Sequence, residues 1–251
     1  MQALILAAGM GKRLGNLIQD GTKCMLRVNG KSLIERTIEQ LVANKLSRLV
    51  IVTGYKSNVL KNFIASKFDT NNLGEMEIEY IENPDYATTN NIYSLYLARE
   101  ELKKSDTILI ESDLIFRQLL FPALIESPYK NVAVVSAWED WMDGTVVTLN
   151  NKYEIEKFIG KQEQILQDQA HYFKTVNVYK FSKEFSSQYY VPFLEAYQTA
   201  FGKNVYYEEA LKVISFLKSD ELHALKIPAN DWYEIDNEND YHEAERKFAD
   251  D

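Results

Sequence analysis

The 251-residue chain contains little cysteine or histidine and has no long hydrophobic run. Its single cysteine, Cys24, excludes an internal disulfide framework and a cluster of thiolate metal ligands. The three histidines, His171, His223 and His242, are too scattered for a histidine metal site. No segment is apolar for the length needed to span a bilayer, and the N-terminal apolar run is too short for a signal peptide. We therefore expect a soluble, cytoplasmic protein with no membrane insertion.

Positive charge is also scarce, since the formal net charge is −9. A nucleic-acid-binding protein is expected to have a broad basic face, so this balance argues against a nucleic-acid partner. It does not argue against a small nucleotide, because a few local cations can outweigh a diffuse negative field at short range. The chain is long enough to bury a substantial core.

The first apolar run, residues 2–7, ends in a loop that contains two glycines and two adjacent basic residues. The loop reads Ala8-Gly9-Met10-Gly11-Lys12-Arg13-Leu14, and Lys23 follows ten residues after the arginine. Glycines let backbone N–H groups approach an anion closely, and the basic side chains add full charges. A Rossmann fingerprint would need glycine where Leu14 stands, and a P-loop would need Gly-Lys-Ser/Thr. The pattern predicts polyphosphate binding; the alternative is a tight turn with solvated basic residues.

Short apolar runs alternate with helical patterns in the first half of the chain, which is typical of βαβ units and a mostly parallel sheet. Strands are predicted at 2–7, 49–53, 76–82 and 107–111, and helices at 32–44, 56–67 and 92–104. Ligands of such sheets bind at the carboxyl ends of the strands. Three of these ends carry polar candidates, at residues 8–13, 83–94 and 111–113.

The second half has a different pattern, with more strands in succession. Strands are predicted at 132–137, 144–149, 152–159, 173–181, 223–227 and 232–235, and helices at 190–201, 206–219 and from 237 onward. There is no linker rich in proline, glycine or serine and no internal repeat. We expect this half to form a smaller subdomain against the first half, and such boundaries commonly bind a second substrate.

Two aspartates, Asp113 and Asp236, each follow a predicted strand. Mg²⁺ typically takes one or two carboxylates and completes its octahedron with phosphates and water. Each aspartate alone could simply cap a turn or a helix. Together with a polyphosphate loop, they predict a Mg²⁺ site.

Two further segments offer polar or aromatic groups. Thr88, Asn90 and Ser94 lie at the start of a predicted helix, where they could read a base edge or a ribose hydroxyl, or serve as helix caps. Residues 138–144 combine Trp138 and Trp141 with three carboxylates, which suits a cationic amine through cation–π attraction and charge pairing. Residues 206–209, Tyr-Tyr-Glu-Glu, could add to this pocket. The alternative is a turn with a solvated acidic face.

These motifs resemble a known family. The glycine-rich loop with Lys23 is similar to the signature of the nucleotidyltransferases that include the sugar-phosphate pyrophosphorylases. Residues 90–96 and 233–236 resemble bacterial choline-phosphate cytidylyltransferases, and residues 111–115 and 234–237 also resemble cytidylyltransferases that act on 2-aminoethylphosphonate. The chain departs from the family at Asn16 and Thr22, where proline is usual, which leaves the loop less fixed by its own backbone.

The resemblance implies an α/β fold of the nucleotide-diphospho-sugar transferase type, with a Rossmann-like mixed, mostly parallel sheet flanked by helices and a smaller acceptor-binding subdomain. It implies one domain over residues 1–251, with a nucleotide-binding core at 1–137. Residues 138–230 would mainly bind the acceptor, and residues 231–251 would supply a metal-ligand strand end and a closing helix.

The resemblance also implies the reaction: an acceptor phosphate or phosphonate oxygen attacks the α-phosphorus of CTP and expels pyrophosphate. Arg13 would hold the β- and γ-phosphates, Lys23 the α-phosphate, and Lys12 would assist, while Asp113 and Asp236 would hold Mg²⁺. The implied nucleotide-binding residues are Leu6, Ala7, Ala8, Gly9, Gly11, Thr88, Asn90 and Ser94. The candidate acceptor-binding residues are Asn91, Trp138, Trp141, Asp143, Asn177, Tyr207 and Glu209.

The acceptor remains open between 2-aminoethylphosphonate, phosphocholine and phosphoethanolamine. The carboxylates of residues 138–143 favour a primary amine, because an ammonium group needs acceptors for its three N–H donors. The alternatives are a sugar-1-phosphate nucleotidyltransferase and a non-catalytic regulatory subunit that binds nucleotide. A homodimer, and a place as one module of a larger fusion, are both compatible with the chain.

Overall fold

A nine-stranded mixed β-sheet with helices against its faces organises the chain, in a computed structural model that describes residues 1–18 and 20–250. The strands, including two short two-stranded sheets, are β1 Gln2–Ala7, β2 Arg27–Val28, β3 Lys31–Ser32, β4 Arg48–Thr53, β5 Glu77–Glu82, β6 Thr107–Glu111, β7 Leu114–Phe116, β8 Val132–Ala137, β9 Val146–Leu149, β10 Ile155–Ile159, β11 Phe173–Phe181, β12 His223–Lys226 and β13 Trp232–Glu234.

The helices cover both faces of the sheet. They are α1 Leu33–Ala43, α2 Ser57–Lys67, α3 Thr70–Leu73, α4 Asn91–Leu97, α5 Arg99–Leu102, α6 Leu120–Glu126, α7 Lys183–Phe185, α8 Val191–Phe201, α9 Glu208–Leu217 and α10 Glu238–Lys247, with a π-helical turn at Ser186–Tyr190. Short 3₁₀ turns occur between them, the longest at Lys12–Ile18. The bounds of the long elements agree with the sequence predictions to within a few residues.

The parallel part of the sheet has the strand order β6-β1-β4-β5. Every residue of β1 is buried, and alternate residues enter different cores. Leu4 and Leu6 pack in the core beneath α4 and α9, whereas Ala3 and Ile5 pack in the core beneath α1 and α2. Parallel strands that are covered on both faces read as continuous apolar runs, which is why the sequence revealed β1, β4 and β6. β5, at the edge of the sheet, instead alternates between apolar and acidic residues.

The strands of the second half continue the same sheet. β11 lies antiparallel to β6 and also pairs with β8 and β9, so this long strand joins the two halves. β12 extends the sheet beside β8, and β10 extends it beside β9. The predicted mixed, mostly parallel sheet flanked by helices is confirmed.

Two predicted elements differ from the structure. The predicted helix at 92–104 is divided at Ala98 into α4 and α5. β13, predicted as a strand, lies outside the main sheet and pairs with β7. The strand β7 was not predicted from the sequence. Because a three-residue strand carries no readable period, only its partner made β7 visible.

None of the helices in the described part of the chain is long and apolar enough to cross a membrane.

The junction between the two halves provides a test of whether they fold as one unit. Leu109 of β6 is fully buried and lies opposite Leu4 of β1 on one side and Tyr179 of β11 on the other. Leu109→Ala should lower the free energy of unfolding by about 3 kcal/mol, because it leaves a cavity at the junction. Far-UV circular dichroism and tryptophan fluorescence should report the same lowered transition, since Trp138, Trp141 and Trp232 all lie in the second half. Two separate transitions would contradict a single folding unit.

Candidate active site

A cavity of about 920 Å³ opens at the carboxyl ends of β1 and β6. Within the sheet, β4 and β5 lie on one side of β1, and β6 lies on the other side. The cavity is therefore at the point where the strand order reverses. Ligands of open α/β sheets bind at such a point. Sixteen of the predicted site residues line it: Leu6, Ala7, Ala8, Gly9, Gly11, Lys12, Arg13, Lys23, Asn90, Asn91, Ser94, Asp113, Asp143, Asn177, Glu209 and Asp236.

Gly11 fixes the path of the glycine-rich loop. Its φ of +59° belongs to the left-handed region that side chains disfavour, and a Cβ there would lie 2.8 Å from Ile18 Cδ1 and 3.1 Å from Lys23 Cβ. Leu14, which stands where a dinucleotide-binding loop has its third glycine, is buried against Ile235 and Phe248. The loop is therefore held by an apolar anchor, which leaves Lys12 and Arg13 exposed at the cavity.

Lys23 is the centre of the site. Its Nζ donates to Asp113 Oδ2 and to Asp236 Oδ1, both at 2.6 Å, and its side chain is only 14% exposed. Arg13 reaches the same Asp236 oxygen at 2.9 Å. Burial alone would lower the pKa of Lys23, but the two carboxylates outweigh it and raise the pKa. The ammonium is therefore fully charged at neutral pH.

A third carboxylate, Glu234, joins the two predicted metal ligands. Oxygens of Asp113, Glu234 and Asp236 lie within 4.8 Å of one another. Glu234 and Asp236 are two residues apart in an extended segment, which places both on one side of it. Asp113 Oδ1 is buried and has no hydrogen-bond partner within the described chain. A cluster of hard oxygen donors with an unused oxygen fits a divalent cation such as Mg²⁺.

The side of the cavity near β5 is held by amide and hydroxyl groups. Asn83, directly after β5, donates from Nδ2 to Thr89 Oγ1 and to Ser94 Oγ, each at 3.1 Å. Asn90 is the N-cap of α4, and its Oδ1 accepts from the Asn91 N–H at 2.8 Å. These groups offer donors and acceptors of the kind that a nucleoside would require.

The side beyond β6 contains buried charges. Lys174 of β11 is almost fully buried, donates to the Thr175 carbonyl at 2.7 Å and lies 3.5 Å from Glu234 Oε2. Asn177, in a bulge of β11 with φ +58°, lies with its Nδ2 3.4 Å from Glu234 Oε1. Asparagine tolerates this left-handed conformation better than most residues. β11 thus positions Glu234 from two points.

Two further glutamates line the same side: Glu208 is buried and Glu111 is half-buried. Asn91 connects Glu111 to the residue before Glu208. Its Nδ2 donates to Glu111 Oε1 at 3.1 Å, and its Oδ1 accepts from the Tyr207 N–H at 3.0 Å. Burial raises the pKa of Glu208 to about 7 and raises that of Glu111 well above its usual range. This part of the wall is acidic and desolvated.

Four of the predicted site residues do not line the cavity: Thr88, Trp138, Trp141 and Tyr207. Thr88 lies in the turn before α4, where its Oγ1 and backbone N–H both bond to the Asp85 carbonyl and its side chain is exposed. Its neighbour Thr89 lines the cavity in its place.

The three aromatic residues predicted to contact an amine, Trp138, Trp141 and Tyr207, do not line the cavity. The Trp141 ring stacks on Tyr233 with a centroid distance of 4.3 Å. Tyr207 is fully buried in the core, and Trp138 packs against the core on the other face of the sheet. These rings are taken up by packing, so they present no faces to a ligand in the cavity.

Asp143 and Glu209 do line the cavity, but each already has a partner. Asp143 lies 2.7 Å from Lys161, and this contact outweighs partial burial and lowers the pKa of Asp143. Glu209 Oε2 accepts from the Tyr197 hydroxyl at 3.2 Å. Their roles in binding an acceptor stay predictions.

Several groups that line the cavity were not predicted from the sequence. These include Glu234, Lys174 and the segment 160–163. Asn83, Glu111 and Glu208 fell within candidate segments but were not chosen as site residues. Two signals were available: the alternation of Glu234 with Asp236, and a lysine inside the otherwise apolar run of β11. The others depend on contacts between distant elements.

The fold and the site are typical of one class of protein, and comparison with known sequences identifies that class. The MobA-like NTP transferase domain model matches residues 3–175, and the chain belongs to this family of nucleotidyltransferases. Its architecture is the nucleotide-diphospho-sugar transferase fold.

Among individual proteins, the chain is similar to cytidylyltransferases. It is 26% identical over 250 residues to the CMP-5′-(3-aminopropyl)phosphonate synthase of Streptomyces rubellomurinus, covering 99% of this chain but only 39% of that protein. It is 27% identical to the choline-phosphate cytidylyltransferase of Streptococcus pneumoniae, covering 98% and 97% of the two chains. The solved structure of the CTP:phosphocholine cytidylyltransferase from that organism superimposes with a TM-score of 0.77 at 25% identity, covering 98% of this chain and 97% of the other.

The raised pKa of Glu208 predicts a pH-dependent stability. Below about pH 4.5 its carboxyl group is protonated in both states, so it has no effect. As the pH rises to about 7, the group ionises in the unfolded chain but not in the folded one, so stability falls by at most about 3 kcal/mol. The charged or titratable groups around it are Glu111 of β6, Lys174 and Tyr179 of β11, Glu234 of β13, and Tyr190 and Tyr207.

Glu208→Gln should therefore melt at a higher temperature than the wild type at pH 8, with a smaller difference at pH 5. Thermal unfolding across this range measures the effect. Glu184→Gln, which changes an exposed glutamate, serves as the matched control and should follow the wild type. An advantage of Glu208→Gln that is the same at both pH values would contradict the shifted pKa.

Proposed function

We propose that the protein is a cytidylyltransferase that transfers CMP from CTP to a small amine-bearing phosphate or phosphonate and releases pyrophosphate. The observation that carries this proposal is the position of Lys23, whose ammonium lies between Asp113 and Asp236 beside the glycine-rich basic loop. The names of the similar proteins support CTP as the donor and a phosphonate or phosphocholine as the acceptor. Phosphoethanolamine is likewise a small phosphate that carries an amine.

The basic loop is suited to the triphosphate. Arg13, with a side chain that is 68% exposed, can turn from Asp236 toward the β- and γ-phosphates, and Lys12 adds a second exposed cation. The loop N–H groups at Gly9 and Gly11 can approach the phosphates. The space beside Gly9 is open, because a Cβ there would meet no atom within 4 Å. The amides and hydroxyls near Asn83 would then face the cytosine and ribose.

The transfer itself requires no general base. The attacking phosphate or phosphonate oxygen is already ionised near neutral pH, so its negative charge makes it the nucleophile. Catalysis then consists of aligning this oxygen with the α-phosphorus and stabilising the charge that develops there. Lys23 is the residue for the second task, because its ammonium is permanently charged and fixed by two carboxylates.

Asp113, Glu234 and Asp236 are the residues that would hold Mg²⁺. When bound, such a cation neutralises phosphate charge and helps to orient the substrate. Lys174 and Asn177 position Glu234 in this set. The acidic wall beyond it favours a cationic acceptor over a sugar 1-phosphate, which has no positive charge to offset Glu111 and Glu208.

The experiment that tests the proposal is a panel assay of pyrophosphate release. CTP should be tested with 2-aminoethylphosphonate, phosphoethanolamine, phosphocholine and glucose 1-phosphate, and each acceptor should be repeated with ATP, GTP and UTP. We expect turnover with CTP and an amine-bearing acceptor, and its loss when Mg²⁺ is replaced by excess chelator. Turnover restricted to glucose 1-phosphate would overturn the proposal.

The role of Lys23 gives a separate prediction. Lys23→Ala should lower kcat about a thousandfold, since it removes the charge that stabilises the transition state. The fold should persist, as judged by circular dichroism, because the side chain lies at the cavity wall. Lys31→Ala, which removes an exposed lysine paired with Glu39, is the control and should retain activity. Near-normal pyrophosphate release by Lys23→Ala would exclude this role.

A further inference from the structure

The acidic wall of the cavity contains a buried carboxylate with an unused oxygen. Glu208 is the first residue of α9, is only 8% exposed and lines the cavity. Its Oε2 is buried and makes no hydrogen bond within residues 1–18 and 20–250. Burial raises the pKa of this carboxyl group, whereas the nearby Glu208 N–H and Asn91 side chain lower it by less. A buried acceptor without a donor destabilises a fold. A ligand that supplies N–H donors would remove this penalty.

The cation nearest to this wall does not satisfy Glu208. Lys174 is almost fully buried, but its ammonium is shared between the Thr175 carbonyl at 2.7 Å and Glu234 at 3.5 Å. No lysine or arginine of the described chain forms an ion pair with Glu208 within 4.0 Å. The position of Glu208 is nevertheless well defined, because Asn91 holds the preceding Tyr207 N–H at 3.0 Å and Glu111 at 3.1 Å.

The wall has the wrong lining for a quaternary ammonium group. Such a group carries no N–H donor and is bound by aromatic faces that surround it. Trp138, Trp141 and Tyr207 are packed away from the cavity, and the aromatic residues among its described lining are Tyr86 and Tyr206. Tyr206 is 58% exposed, so it does not form part of an enclosed aromatic site.

We propose that Glu208 binds the primary ammonium group of the acceptor and thereby selects primary amines over quaternary amines. This inference rests on the proposed function and identifies the acceptor class within it. An ammonium N–H can donate to Oε2, and its positive charge compensates the buried carboxylate. A trimethylammonium group supplies the charge but no donor, and its larger radius keeps the charge farther from the oxygen.

Three acceptors that differ only at one end test the inference. These are 2-aminoethylphosphonate, its N,N,N-trimethyl analogue and propylphosphonate, which replaces the ammonium by a methyl group. The wild type should use the primary amine with a kcat/KM about a hundredfold higher than either analogue, because a site built to accept N–H donors rejects ligands that lack them.

Variants then assign the selectivity to a residue. Glu208→Gln should lower kcat/KM for 2-aminoethylphosphonate about a hundredfold, should leave propylphosphonate unchanged and should leave the KM for CTP unchanged. Glu209→Gln should have a smaller effect, because its Oε2 already accepts from Tyr197. The exposed-site control Glu184→Gln should match the wild type. Thermal unfolding of each variant confirms that it is folded.

Three results would overturn the inference: equal use of the trimethyl analogue, an equal loss with all three acceptors in Glu208→Gln, or a selective loss in Glu209→Gln alone. Failure of the proposed function is distinguishable, since it would appear as no pyrophosphate release with any acceptor. In that case calorimetry of 2-aminoethylphosphonate and propylphosphonate, on wild type and Glu208→Gln in the presence of CTP, decides the inference. If the wild type and Glu208→Gln then bind 2-aminoethylphosphonate with equal affinity, the inference is rejected.

Discussion

The ion pairs between Lys23 and two aspartates are the interaction on which the rest of the site depends. Asp113 and Asp236 come from segments far apart in the chain, and β7 and β13 pair so that the Ile235 N–H bonds to the Asp113 carbonyl at 3.0 Å. This small sheet places both carboxylates where the lysine reaches them at 2.6 Å. The carboxylates oppose the effect of burial on the ammonium, so a full positive charge is maintained in a partly desolvated cavity.

Charge is divided unevenly across the cavity, and this division supports the proposed binding of a nucleotide on one side and a cationic acceptor on the other. The loop after β1 contributes exposed cations that suit a triphosphate, whereas the wall beyond β6 contributes buried carboxylates. Keeping Glu111 and Glu208 in that wall opposes stability, because burial disfavours their charged forms. Unfavourable groups of this kind are concentrated at functional sites, where a ligand compensates them. The acidic wall is therefore better explained by an acceptor than by folding.

Much of the fold could be predicted because its strands and helices have strong periods. The parallel strands β1, β4 and β6 are almost continuous apolar runs, β5 alternates between apolar and acidic residues, and α1 has a capping box formed by Ser32 and Glu35. Sixteen predicted site residues do meet at one cavity, since the ends of parallel strands share an edge. The predicted aromatic contacts to an amine are not found for a physical reason: Trp141 and Tyr207 pack against other rings instead of facing the cavity.

The sequence by itself indicated phosphate binding, because a glycine-rich basic loop with a following lysine requires only local geometry. The class of reaction followed from the resemblance of its motifs to those of the nucleotidyltransferases. The sequence also predicted the order of most of the longer strands and helices, although not the short elements such as β7. Only the tertiary structure decided which carboxylates lie together, since Glu234 joins Asp113 through the pairing of β7 with β13. It likewise decided which of two adjacent glutamates is unpartnered: Tyr197 satisfies Glu209, and nothing in the described chain satisfies Glu208 Oε2. The reason is physical, because the environment of a side chain is set by its neighbours in space.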